Sequence, residues 1–332
     1  MAQFEQSTVA ARTGIYLRKP VSLIPFVIFL WLAIVPFLTA LGVENYFLVL
    51  MMRVMIFAIA ALSLDLLVGY GSLVSFGHAA FIGIGAYTVG IFGAHGITDI
   101  LITLPVALGA SALFALISGF ISLRTKGAYF IMITLAFAQM LYFTATSLAP
   151  YGGDDGLTVY SRSTIAGAAI FENQSVFYYL VFGFLLVSYI LCRCIVRSRF
   201  GRVFRGAKEN PTRVSTLGFD VYRFQLVGYV IAGTLAGLAG FLLANATNFV
   251  SPAYMSWQRS GELLLMLIMG GTGTLNGAIL GSAAFLLLEE WLAGITESWK
   301  LIFGPILVMI ALFAPGGITG IVKAILRRLT RD

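Results

Sequence analysis

The sequence predicts an all-α fold, a polytopic membrane helix bundle of about ten transmembrane helices (8–10), some broken or re-entrant. Three observations predict it. Of 332 residues, 59% are apolar and only 11% charged, where a soluble domain carries roughly a quarter charged residues; the mean hydropathy is +0.95. Apolar runs of about 20 residues recur, the length that crosses roughly 30 Å of hydrocarbon at 1.5 Å per helical residue. Lys and Arg gather in four segments that fall on one side of a bilayer when the number of spans is even. The same composition excludes a disordered, collagen-like or disulfide-scaffold chain, because the 36 glycines have no triplet period and there are two cysteines. A net charge of +7 is spread too thinly for a nucleic-acid binder, so the expected surroundings are a lipid bilayer and no nucleic acid.

Residues 1–20 form a polar tail with Arg12, Arg18 and Lys19. Apolar runs follow at 21–41, 46–68, 72–93, 100–122, 127–148, 175–196 and 224–248. The first is read as a retained helix. It exceeds the roughly 7–15-residue core of a signal peptide, and Leu38-Thr39-Ala40 is a poor cleavage site. After 257 a short apolar run ends at Gly270-Gly271-Thr272-Gly273-Thr274, another covers 276–293 and a last one 300–316. Together these make ten spans, and a re-entrant hairpin makes fewer. The C-terminal tail, 317–332, carries Lys323, Arg327, Arg328 and Arg331.

Between the tails, Arg124 and Lys126 sit between the fourth and fifth spans, and residues 193–223 hold Arg193, Arg197, Arg199, Arg202, Arg205, Lys208, Arg213 and Arg223. Ten spans put all four basic segments, and both termini, in the cytoplasm; nine put the C-terminal cluster outside. Cys192 and Cys194, at the inner end of the sixth span, are expected to be thiols that pack.

Small residues recur at helical spacing inside the spans, as at Gly233/Gly237, Ala236/Gly240, Ala79/Gly83 and Gly277/Gly281. Such residues let helix backbones approach closely where lipid offers no hydrophobic drive between helices. The stretch from Gly69 to Thr88 differs. It is expected to open the third span with Ser72, Ser75 and His78 on successive turns, interrupted by Gly71, Gly77, Gly83 and Gly85. Polar side chains at that depth must face protein or water. Asp65, just upstream, is placed to pair with Ser72 or His78. Two readings stand side by side: a stretch lining a solute path with freed backbone groups as ligands, or a capping and packing site with no ligand.

Residues 197–223 are the longest cytoplasmic excursion. Pro211 suits the first turn of a helix with Asn210 as its N-cap, Val214 and Leu217 share a face, and Gly218 is placed as the stop. Positive charge for topology accounts for the arginines but not for the helix signals, which suit docking onto a partner. No enzyme constellation is present. There is no phosphate loop of the Gly-x-x-x-x-Gly-Lys-Ser/Thr kind, His78 and His95 are not spaced as a metal pair, and Ser75 and His78 lack an oxyanion site. No cofactor is expected.

At these two segments the chain resembles a known family. Gly69 to Thr88 is similar to the signature of LivM-type permease subunits of branched-chain amino acid ABC importers, where Gly-x-x-Ser-Leu-Gly-His-Ala-Ala-Phe-x-Gly-Ile-Gly-Ala-Tyr follows the second span; here Ser75-Phe76-Gly77-His78 takes the place of Ser-Leu-Gly-His. The run from Gly201-Arg202 through Lys208-Glu209-Asn210 to Leu217-Gly218 resembles the family's ATPase-docking loop, with Asn210-Pro211-Thr212-Arg213 where the family has a Glu-Ala-Ala-like core. Ala236-Gly237-Leu238-Ala239-Gly240 and Gly270 to Gly277 look like further landmarks. The resemblance covers about residues 45–316.

It implies a transmembrane permease domain over 21–316 in a bacterial inner membrane, forming half of a translocation path. The implied partners are a paralogous LivH-like permease, two cytoplasmic ATP-binding subunits and a periplasmic substrate-binding protein. It implies no catalysis in this chain, since ATP hydrolysis belongs to the partners. Docking would involve Arg205, Lys208, Glu209, Asn210, Leu217 and Gly218; path lining or helix packing would involve Asp65, Ser72, Ser75, Gly77, His78, Gly83 and Gly85. Branched-chain or other hydrophobic amino acids are the expected cargo, with urea or short amides as the alternative. An ion-coupled secondary transporter with Asp65 and His78 as a proton relay is the rival from another class.

Overall fold

The structure, a computed structural model, describes residues 24–40, 45–165, 167–313 and 316–320. The basic tail expected at 1–20, and residues 321–332 of the one expected at 317–332, lie outside the described residues.

Helix α1 (Ile24–Ala40) leads to α2 (Asn45–Asp65), which continues into a π-turn at Leu66–Tyr70. Then come α3 (His78–Ala94), α4 (Ile100–Ser122), α5 (Ala128–Ser147) and a loop holding the two-residue strand β1 (Leu157–Thr158). Next are α6 (Gln174–Arg197), the short α7 (Arg199–Glu209) and α8 (Pro211–Thr216), the long α9 (Val221–Thr247) and β2 (Phe249–Val250). The described chain closes with α10 (Trp257–Gly270), α11 (Leu275–Ala293) and α12 (Trp299–Phe313).

Each apolar run predicted from sequence contains a helix. Among the described residues six are long and apolar enough to cross a bilayer: Tyr46–Tyr70, Ile100–Ser122, Ala128–Ser147, Gln174–Arg197, Val221–Thr247 and Leu275–Ala293. Shorter apolar helices lie at Val27–Phe37, His78–Ala94 and Trp299–Ile310. The 14 residues of α10 reach only about 21 Å at 1.5 Å per residue. The chain is a multi-pass helical membrane protein in which full-length spans alternate with shorter helices.

The centre of the bundle is α9, packed along α2, α3 and α4. Its small residues bring backbones into contact. A Cβ at Gly240 would lie 1.8 Å from the carbonyl oxygen of Ile82, and one at Gly85 would lie 2.0 Å from that of Gly237. A Cβ at Gly281 of α11 would lie 2.0 Å from the Met266 oxygen of α10. For these glycines the small-xxx-small spacing is close helix packing. Helices α4, α5 and α6 keep much apolar surface exposed, including Leu113, Phe120, Met132, Phe143 and Ile190, as lipid-facing or partner-facing helices do.

One end of the bundle is closed by the ladder of β1 with β2, antiparallel with Leu157 opposite Val250 and Thr158 opposite Phe249. Asn245 near the end of α9 supports it, its side-chain oxygen accepting from the Ser163 amide at 2.8 Å. In the same loop Arg162 donates to the Phe171 carbonyl oxygen at 3.0 Å and lies over the Phe177 ring at 4.9 Å. The opposite end carries α7, α8, the π-turn, the turn with Arg124 and Lys126, and the turn Gly271–Thr274. The two described basic segments therefore share one end.

The third helix begins later than the sequence suggests. Residues 72–77 are not helical, and α3 starts at His78. Ser72, with φ +56°, is exposed, Ser75 is buried and caps its own turn by accepting from the Gly77 amide at 3.2 Å, and only His78 is in the helix. They do not stack on successive turns. The reason is close packing of the glycines that flank this segment. A Cβ at Gly71 would lie 2.4 Å from the Phe204 ring of α7, and one at Gly77 2.4 Å from the Thr134 carbonyl oxygen of α5. A continuous helix would lift the chain off both neighbours.

Candidate coupling site at the basic end

Ser198 ends α6 and caps α7, its hydroxyl accepting from the Gly201 amide at 3.2 Å. Gly201, Phe204 and Ala207 are buried on one side of α7, while Arg199 and Arg202 are exposed on the other. Phe204 anchors the helix beneath the bundle. Its ring lies where side chains at Gly71 and Gly228 would be and is stacked with Phe200 at 5.8 Å; Phe200 stacks in turn on Phe224 of α9 at 5.4 Å.

Asn210 separates the two short helices. Its side chain accepts from the Arg213 amide at 2.9 Å, Pro211 occupies the first turn of α8, and Gly218 turns away with φ +84°. That is the capping pattern expected from sequence. Val214 is buried, whereas Leu217 is 70% exposed; both line a groove of about 280 Å³ between α7 and α8, with Arg202, Glu209, Asn210 and Arg213 around it. Sequence reasoning missed α7 itself, although Ser198 as a cap and the small or apolar residues at 201, 204 and 207 were visible signals.

One hydrogen bond joins this elbow to the π-turn, and a second joins the end of α2 to the α10–α11 turn. Lys208 Nζ donates to the carbonyl oxygen of Gly69 in the π-turn at 2.7 Å. Asp65, fully buried at the last residue of α2, accepts from the Gly273 amide at 2.7 Å through Oδ1. Gly69 lies between them, since a Cβ there would sit 2.3 Å from Asp65 Oδ1 and 2.5 Å from the Gly273 nitrogen. Asp65 therefore does not pair with Ser72 or His78 as expected; the π-turn directs it toward the α10–α11 turn. Arg205 stays local, donating to the carbonyl oxygens of Val196 at 3.1 Å and Gly201 at 3.3 Å.

His78 is fully buried at the start of α3, with Nε2 and the Ser63 hydroxyl of α2 at 2.7 Å and the ring edge-on to Phe81 at 5.6 Å. The Ala79 amide donates to the Ser260 hydroxyl of α10 at 3.0 Å. Gly83 faces Met255 and Gly85 faces Gly237. Gly77, His78, Gly83 and Gly85 thus sit in helix contacts. Ser72 lies elsewhere, on the wall of a cavity of about 260 Å³ at the basic end, shared with Lys126, Phe130, Lys208 and Gln225. Sequence reasoning also passed over the charged residues Arg53, Arg259, Glu262 and Glu289, which stand inside apolar stretches.

A family model described as branched-chain amino acid transport system / permease component matches residues 46–312. The high-affinity branched-chain amino acid transport system permease protein LivM of Salmonella typhimurium is 28% identical over 289 residues, covering 80% of this chain and 68% of that protein. LivM of Escherichia coli K12 is 27% identical with the same coverage. The chain is also similar to a probable LivH permease of Methanocaldococcus jannaschii, 30% identical over 175 residues, covering 48% of this chain and 53% of that protein. No solved structure matches.

Proposed function

The chain belongs to the family of permease components of branched-chain amino acid transport systems, and from that membership we propose that it forms the LivM-type half of an ATP-driven, binding-protein-dependent importer. Its cargo is branched-chain or other hydrophobic amino acids. A paralogous LivH-like permease supplies the other half of the path, two ATP-binding subunits supply the hydrolysis, and a periplasmic binding protein delivers the solute. The chain is not itself a catalyst. It spans the inner membrane with its basic end, and both termini, in the cytoplasm.

The observation that carries this reading is the Lys208–Gly69 bond. A ligand or partner shifts a conformational equilibrium only through contacts that differ between states. The α7–α8 elbow offers the ATP-binding subunit a groove lined by Glu209, Asn210 and Leu217. Movement of that elbow pulls directly on the π-turn and, through Gly69 and Asp65, on the α10–α11 turn. Glu209, Asn210, Leu217 and Gly218 are the residues at which the partner docks, Lys208 is the link inward, and Arg205 holds α7 in shape.

A proton relay through Asp65 and His78 has less support, because the two side chains engage separate partners, Gly273 and Ser63. The test is leucine uptake into vesicles carrying the co-expressed subunits. Uptake is expected only with ATP and an active ATP-binding subunit. Uptake by this chain alone under a proton gradient overturns the reading.

A further inference from the structure

A strip of charged side chains runs down the face formed by α2, α10 and α11, starting near the end that carries β1 and β2. At its top the Tyr46 hydroxyl donates to the Glu290 carboxylate. Arg53, about 10 Å further along α2 at 1.5 Å per residue, faces Glu289 at 4.0 Å, with 39% and 20% of the two side chains exposed. One turn deeper the guanidinium of Arg259 lies 5.6 Å from the centre of the Phe57 ring. Arg259 pairs there with Glu262 at 2.5 Å, and the two side chains are 25% and 35% exposed. Phe57 stands near the midpoint of the 25-residue span Tyr46–Tyr70.

A charged side chain presented to acyl chains at that depth is strongly unfavourable, so such groups face water or protein. These charges already pair within the chain and still keep a quarter or more of three of the four side chains exposed. They call for no complementary charge from a neighbouring subunit, and they form a continuous polar strip from the bundle end to its middle. Water is the cover that fits. The strip ends beside Ser260, whose hydroxyl accepts from the Ala79 amide in the first turn of α3; α3 and α10 both begin there, inside the bundle, and neither is capped by the side chain of its own N-cap residue. Their positive dipole ends suit a carboxylate, as at broken transporter helices. Guanidinium groups bind carboxylates through paired hydrogen bonds, and the three glutamates against two arginines leave acid to attract an ammonium.

We propose that the α2–α10–α11 face is the wall this chain contributes to a water-filled outer half of the path, where Arg53, Arg259, Glu262 and Glu289 guide a small zwitterion bearing one carboxylate and one ammonium. This rests on the permease reading above and adds the chemistry of the path.

The experiment uses the complete transporter, binding protein included, in spheroplasts. Glu262→Cys and Arg53→Cys are exposed to a membrane-impermeant charged methanethiosulfonate from the outside, with the parent chain as background and Tyr160→Cys, at the fully exposed Tyr160, as the positive control. Both path cysteines are expected to react, leucine to slow the reaction, and 4-methylpentanoate and urea to leave it unchanged. Silence of both while Tyr160→Cys reacts overturns the proposal, as does protection by urea equal to that by leucine. Should a cysteine variant fail to insert, Glu262→Gln serves instead. It is expected to raise KM for leucine about tenfold at little changed maximal rate, with Glu262→Asp restoring it; an unchanged KM counts against the proposal. ATP-dependent uptake with both cysteines silent removes this inference alone, whereas protected labelling with uptake that ignores ATP removes the importer reading alone.

Discussion

Lys208 and Gly69 are 139 positions apart, yet the Lys208 ammonium donates to the Gly69 carbonyl oxygen at 2.7 Å. The bond joins a surface helix to the one stretch of α2 where the regular helical ladder has widened into a π-turn. Widened turns recur at functional sites because they leave backbone carbonyls available to other partners.

Lys208→Met removes the donor and keeps most of the aliphatic stem. The expected outcome is normal insertion, a stability loss of about 1 kcal/mol and a fall in uptake for each ATP hydrolysed. Lys208→Arg should recover part of the coupling. Measuring uptake and hydrolysis on the same vesicles checks this, and an unchanged ratio in Lys208→Met counts against a mechanical role.

Asp65→Asn keeps an oxygen for the Gly273 amide, so folding and ATP-driven uptake should both survive. Asp65→Leu leaves that amide without its partner and should cost about 1–3 kcal/mol, read as a lower unfolding temperature in detergent. Loss of transport in Asp65→Asn with stability intact would point instead to proton transfer.

Gly69→Ala puts a Cβ 2.3 Å from Asp65 Oδ1 and 2.5 Å from the Gly273 nitrogen. The Gly273 nitrogen is backbone, and the buried Asp65 carboxylate is held to it by a hydrogen bond, so the π-turn and the α10–α11 turn must separate. Overpacking of this kind costs about 1–3 kcal/mol. Thermal unfolding in detergent measures it, and an unaltered transition would show that the two turns are not tightly joined.

At Gly218 a Cβ meets nothing within 4 Å, yet φ is +84°. Gly218→Ala should therefore cost about 1 kcal/mol through the backbone alone. Together with Glu209→Ala, at an exposed position on the groove, it should impair coupling while leaving membrane insertion intact. Full transport in both variants removes the docking role.

His78→Ala empties a fully buried site and leaves the Ser63 hydroxyl only the Ala60 carbonyl oxygen as its partner. A loss of roughly 2 kcal/mol or more is expected, seen as reduced thermal stability with the substrate affinity of the surviving protein unchanged. A selective change in KM at normal stability would put His78 on the path.

Local rules were legible in the sequence wherever a few neighbouring residues settle the structure. Asn210, Pro211 and Gly218 mark the ends of α8 by capping chemistry alone, and the apolar runs mark the spans by length. The start of α3 was not legible, because residues 72–77 continue the apolar run, and what sets them off from the helices is packing of Phe204 against Gly71 and of Thr134 against Gly77. The partner of Asp65 was hidden for the same reason, lying 208 positions away. The charges at 53, 259, 262 and 289 were visible singly; that they form one strip was not.

Composition and periodicity by themselves determined that this is a helical membrane chain, which stretches hold its apolar helices and which segments carry the positive charge, since the transfer of side chains and backbone from water to lipid depends on local composition. Only the tertiary structure decided which helices are broken, that α7 and α8 reach the interior through Gly69, and that arginines and glutamates from three helices share one face. Those relationships arise between residues far apart in the chain, where close packing and hydrogen-bond geometry choose the partners.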